Sequence, residues 1–198
     1  MKKKLILIFM LSAINLDTFS QKIKADDQKV LITGTCINFL NWYKLNADKL
    51  QSDPITKGFN TDYNVKKDSI VRIDMHAVDA YLNNFKQGGY VTDAFINHLR
   101  TVYQNVSDTL SLHPLKDYFG PVPYLEADLL FGFDVDDILA QTKDAKVVSY
   151  LRIYDKALLS IKLNYTTELV FSLTRQSNKW QIDYVGFNGE NKYNIGSQ

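Results

Sequence analysis

The sequence predicts an α+β domain, with helices first and an antiparallel sheet of at least four strands after them. Three observations carry this. The C-terminal quarter, Lys146 to Phe187, alternates apolar and polar residues with a period of two. Residues 26–106 instead carry apolar stripes at helical spacing. The breaks between the C-terminal runs are short, which suits an antiparallel meander.

The strand block is the organising stretch. Val147 to Tyr154 mixes β-branched and aromatic residues, as a half-buried pleated surface favours. Leu159, Ile161 and Leu163 alternate with Ser160, Lys162 and Asn164, giving one dry and one wet face. Thr167 to Arg175 repeats this with Leu169, Phe171 and Leu173. After a turn at Gln176-Ser177-Asn178, Trp180, Ile182 and Tyr184 alternate with Gln181 and Asp183. Gly186 and Asn188-Gly189 end the last strand.

At the other end, Lys2-Lys3-Lys4 precede a short apolar run, Leu5 to Ala13. The run is too short to span a bilayer, so a cleaved signal peptide over 1–20 is expected, with the cut before Gln21. Residues 21–198 then form a single exported domain, periplasmic or secreted, with no membrane anchor after cleavage. The lone cysteine, Cys36, lies too far from the cut for lipid attachment and has no disulfide partner. A net charge of +1 argues against nucleic acid or an anionic surface as partner.

In the helical half, Asp26-Asp27 starts a helix bearing Ile32, Cys36, Phe39 and Tyr43 on one face. An aromatic stripe of this kind is core packing first. Asn46 to Lys67 is polar and reads as a long connection. Asp68 or Ser69 is expected to cap a second helix with Val71, Met75, Val78, Leu82 and Phe85 inside, closed by Gly88-Gly89. Thr92 caps a third, burying Phe95, Leu99, Val102 and Val106. Pro123 is expected to start a short helix through Leu130.

Chemistry-bearing residues are sparse. His76, His98 and His113 are scattered, and no nucleophile elbow, phosphate loop or CxxC is present. The most suggestive feature is Phe131-Gly132-Phe133-Asp134-Val135-Asp136-Asp137. Asp134, Asp136 and Asp137 offer carboxylates suited to a hard cation. The glycine spacing and final glutamate of an EF-hand are missing, so an acidic helix start at Asp136 is the blander reading. Asp183 is a further ligand-binding candidate. Neighbours on a regular strand face opposite ways, so Asp183 and Tyr184 are not expected in one pocket. No catalytic residue, metal ligand or cofactor is assigned.

Taken in order, Phe39-Leu40-Asn41-Trp42-Tyr43, Tyr81-Leu82 leading to Gly88-Gly89-Tyr90-Val91-Thr92, Gly132-Phe133-Asp134 with Asp137, and Trp180-Gln181-Ile182-Asp183 form a pattern. It resembles the exported bacterial domain of unknown function 3828, a branch of the nuclear-transport-factor-2-like, cystatin-like superfamily. The resemblance implies a curved antiparallel sheet wrapped around helices as a cone. The Ser-Gln end of the leader and the many Asn, Lys and Tyr residues look like a Bacteroidota protein. Fold does not select function here, because that superfamily holds enzymes and pure binding or dimerisation modules alike.

Three functions fit. The first is a non-enzymatic binding or interaction module in the periplasm, taking an unknown small molecule or protein as monomer or homodimer. The second is an immunity or inhibitor protein acting on a toxin or hydrolase. The third is a small enzyme with an acid–base carboxylate inside the cone. A concave polar pocket holding a carboxylate would favour the last.

Overall fold

The computed structural model describes residues 25–50, 54–59, 69–132 and 135–188. The leader expected over 1–20 therefore lies outside the described residues. The chain is α+β, with three long helices preceding a four-stranded antiparallel sheet.

Helix α1 (Ala25–Leu50) buries Ile32, Cys36, Phe39, Leu40 and Tyr43 along one face. It runs further than its polar end suggests. The Asn46 amide donates to the Trp42 carbonyl one turn back (2.7 Å), and Leu50 is buried, so this stretch is a solvated helix face rather than a connection. Short strands β1 (Thr56–Lys57) and β2 (Arg72–Ile73) then pair antiparallel.

Helix α2 (Met75–Gly88) starts later than the apolar spacing predicts. Val71 is buried, but from an extended segment whose N–H donates to the Leu115 carbonyl (3.0 Å). The cap is Asp74, whose carboxylate accepts from the N–H groups of His76 (3.0 Å) and Ala77 (3.3 Å). Gly89 closes the helix in the left-handed region, φ 74°. At Gly88 an added Cβ would lie 2.6 Å from the Trp42 ring, so only glycine lets α1 and α2 approach here.

Helix α3 (Asp93–Leu112) is capped by Thr92, as its sequence predicts, and buries Phe95, Leu99, Tyr103, Val106 and Leu110. Tyr103 is inside where Val102 was expected; Val102 is only half-buried. No helix follows Pro123. Tyr124 adopts φ 69°, which stops the turn closed by the Leu125 N–H on the Val122 carbonyl (3.0 Å). A short helix α4 (Val135–Ala140) and a 3₁₀ turn (Thr142–Asp144) lead to the sheet.

The sheet runs β3 (Lys146–Ile153), β4 (Lys156–Lys162), β5 (Glu168–Gln176) and β6 (Lys179–Phe187), each antiparallel to the next. Residues 90–92 lie along the free side of β6, with N–H to carbonyl bonds from Ile182 to Tyr90 (2.8 Å) and from Thr92 to Ile182 (3.0 Å). Leu159, Ile161, Leu169, Phe171, Leu173 and Ile182 are fully buried beneath the helices. The opposite face is largely exposed, with Ser160 and Thr174 buried among its side chains. Trp180 is buried on the helix side. Its indole N–H donates to the Gln28 side chain (2.9 Å), so its polar anchor is the first turn of α1 and not the later stretch around Phe39 and Tyr43.

One irregularity matters for the site. On β5 and β6, Leu173 pairs with Ile182 but Ser172 pairs with Tyr184, leaving Asp183 as a bulge.

Candidate functional site

The acidic loop does not assemble a site among the described residues. Asp134 lies outside them. Asp136 and Asp137 are exposed in the first turn of α4, where carboxylates favour the positive end of a helix. No group of three His, Cys, Asp or Glu side chains converges in a way that would hold a metal, among the described residues.

Asp183 is built into a network on the open face of the sheet. Its carboxylate accepts from the Thr92 hydroxyl (2.8 Å) and from the Thr174 hydroxyl, and the Lys156 ammonium stands 3.7 Å away. Thr92 also accepts from the Phe95 N–H (3.3 Å), so one hydroxyl caps α3 and ties it to β6. The bulge turns Asp183 and Tyr184 toward one face, but the cleft beside Asp183 does not take in Tyr184. Tyr184 stands opposite Ser172 and Asp183 bonds to Thr174, and both partners belong to the open face. A shallow cleft of about 280 Å³ adjoins this network, lined by Leu151, Ile153, Lys156, Leu158, Ser172 and Asp183.

A second cleft, polar and of about 200 Å³, opens between β1, α2, α3 and the loop after Pro123. Thr56, Tyr81, Tyr103, Leu125, Asp128 and Leu129 line it. Asp128 organises the loop. One carboxylate oxygen accepts from the N–H groups of Leu130 (2.8 Å) and Phe131 (2.8 Å), and the other accepts from the Tyr43 phenol. Backbone bonds between Asp128 and Gly132 close the turn. The Tyr43 ring packs edge-on against Phe131 at 5.2 Å, and the Tyr81 ring against Phe85 at 5.1 Å.

The Tyr81 and Tyr103 rings stand edge to face at 6.1 Å beside Asp128, to which the Tyr43 phenol donates. Burial pushes all three phenols upward, and the negative charge of Asp128 adds to each. They are neutral donors and acceptors at any ordinary pH. Of the roughly four lone-pair sites of an ionised carboxylate, Asp128 has three filled from within the fold. The cleft therefore presents phenols rather than a free acid–base group. Cys36 is equally unsuited to chemistry, since burial raises its thiol far above the usual range.

Sequence reasoning missed Asp128, which falls in the segment read as a short helix. A signal did exist. Tyr43, Tyr81 and Tyr103 fall on or beside the inward stripes of three helices, and buried phenols need a polar partner. Among the histidines, only His98 meets a candidate region, its ring standing edge-on to Tyr184 at 6.0 Å.

Comparison with protein-family models, with characterised proteins and with solved structures gives no match for this chain.

Proposed function

We propose that the protein is a non-enzymatic binding or interaction module, exported to a periplasm or secreted, with a nuclear-transport-factor-2-like cone as its fold. The order of helices before a four-stranded antiparallel sheet supports the fold, together with the resemblance of its motifs to the domain of unknown function 3828. One observation carries the functional reading. The carboxylates in both polar sites, Asp128 and Asp183, are occupied by hydrogen bonds that hold the fold together. A general base needs a lone pair directed at its substrate, and these are directed at loop amides, a phenol and hydroxyls. The space between helices and sheet is filled by Phe39, Ile161, Phe171 and Ile182, leaving recognition to the surface.

The enzyme reading keeps one specific observation, a carboxylate and phenols in the same concave cleft. A single experiment separates the two. A small-molecule extract of the host is incubated with the mature protein or with Asp128→Asn, and the compounds are compared by mass spectrometry. Binding without turnover leaves every compound present in equal amount. Any compound consumed by the parent and spared by Asp128→Asn would establish an enzyme.

A further inference from the structure

Strand β3 is an edge. Among the described residues, β4 pairs with one of its sides and no strand pairs with the other. Natural edges of this length are usually covered, shortened or guarded, because their free N–H and C=O groups template further pairing. Here the strand is eight residues long and mostly exposed. Leu151 and Ile153 are each more than half exposed, and Leu158 beside them on β4 nearly so. These three line the shallow cleft of about 280 Å³ next to Lys156 and Asp183, so the apolar surface continues inward from the edge. We propose that the outer edge of β3, over Ser149 to Ile153, receives an extended acidic segment of a partner protein as a fifth strand of the sheet. This rests on the reading of the protein as an interaction module and names its partner.

Charge selects the occupant. β3 carries Lys146 and Arg152 and no carboxylate. Neither residue makes an ion pair among the described residues. Lys146 stands opposite Lys162 on β4, which adds a further positive charge. The carboxylates nearest in sequence, Asp144 and Asp155, lie beyond the strand's ends, each next to a lysine, Lys143 or Lys156. A second copy of the chain is a poor fit. Two β3 strands side by side bring together two copies each of Lys146 and Arg152 with no carboxylate on either strand, and like charges near one another destabilise a strand pair. A peptide with carboxylates near its ends and apolar residues at alternate positions meets both demands. Main-chain bonds would supply affinity, and Leu151, Ile153 and Leu158 would select its side chains. The bulge at Val148, between the paired residues Val147 and Ser149, confines regular pairing to the stretch that follows.

The test uses two nine-residue peptides that alternate valine and threonine, one ending in aspartate at both ends and the other in lysine. Each is titrated into the mature protein while backbone amide signals are followed by nuclear magnetic resonance. The acidic peptide should shift and protect the amides of Ser149 to Ile153, and bind about tenfold more tightly than the basic one. The doubly reversed variant, Lys146→Glu with Arg152→Glu, should invert that preference while keeping the parent's melting temperature. Raising the salt should narrow the difference. Equal affinity for the two peptides, shifts centred elsewhere, or no binding would overturn the proposal. So would sedimentation showing a dimer that protects the same amides, because the occupant would then be a second copy. None of these outcomes bears on turnover of small molecules, which decides the functional reading separately.

Discussion

The Tyr43 phenol donates to the Asp128 carboxylate across 85 positions of sequence, joining the C-terminal half of α1 to the loop that follows α3. The bond is part-buried, and the same carboxylate holds two loop amides. Tyr43→Phe should therefore cost about 1–3 kcal/mol, the usual range when a buried acceptor loses a partner. Asp128→Ala should cost more, because it also releases Leu130 and Phe131, whereas Asp128→Asn retains an acceptor for them. Urea denaturation should show Asp128→Ala as the costliest of the three. Equal losses would mean that the loop is held by its apolar contacts alone.

Alkali should act on the same cluster. Burial raises the Tyr43, Tyr81 and Tyr103 phenols above their ordinary value. The folded state therefore keeps protons that the unfolded chain releases above roughly pH 10. Stability is fully present below that point and falls as pH rises beyond it, because the native state then binds more protons than the unfolded one. The check is an ultraviolet titration of phenol ionisation run beside circular dichroism. These three phenols should ionise only together with loss of the folded circular-dichroism signal. Smooth ionisation of every tyrosine in an intact fold would contradict this.

Trp180 and Gln28 offer a cleaner energetic test. Trp180→Ala removes a large buried ring and should cost about 3–5 kcal/mol. Gln28→Ala leaves the indole N–H unsatisfied and should cost about 1–3 kcal/mol. Their double variant should lose less than the sum, since the two residues share the bond. A Trp180→Ala protein melting within about two degrees of the parent would refute the packing.

The acidic residues of α4 are expected to be structural. Millimolar calcium or magnesium should leave the melting temperature unchanged. Asp136→Ala and Asp137→Ala should each cost about 0.3–1 kcal/mol through the helix end. A rise of several degrees with calcium that disappears in Asp137→Ala would instead make this loop a cation site, because an ion that binds only the folded state stabilises it.

Much of the fold was legible because the strand block obeys its period. Leu159, Ile161 and Leu163 are buried as their alternation predicts, and Thr92 and Gly89 cap where they should. The start of α2 was misread because Val71 satisfies either an extended or a helical register, and only the pairing of β1 with β2 decides between them. The bulge left a trace that alternation alone did not interpret. Burial on β6 falls on even positions at Trp180 and Ile182, then on an odd one at Val185. One extra residue must lie between, and that residue is Asp183. Asp128 was illegible for a different reason. Its role depends on Tyr43 and on loop closure, and neither relation leaves a local pattern.

The bond between Gln28 and Trp180 has a consequence in time. It spans 152 positions, and α1 packs on β6, so the first helix meets its partner only after the last strand has been made. A nascent chain emerges at about 5–20 residues per second, so the Gln28 end of α1 waits roughly 8–30 s for β6, while Phe39, Trp42 and Tyr43 further along can meet Phe85 and Phe95 earlier. Local helices form far faster than this and fray as readily without a surface to dock on. Docking of this end of α1 is thus deferred until β6 is made. A binding factor that recognises uncovered apolar helix faces has that interval in which to engage it, and release of the C-terminal strand sets the moment when the window closes.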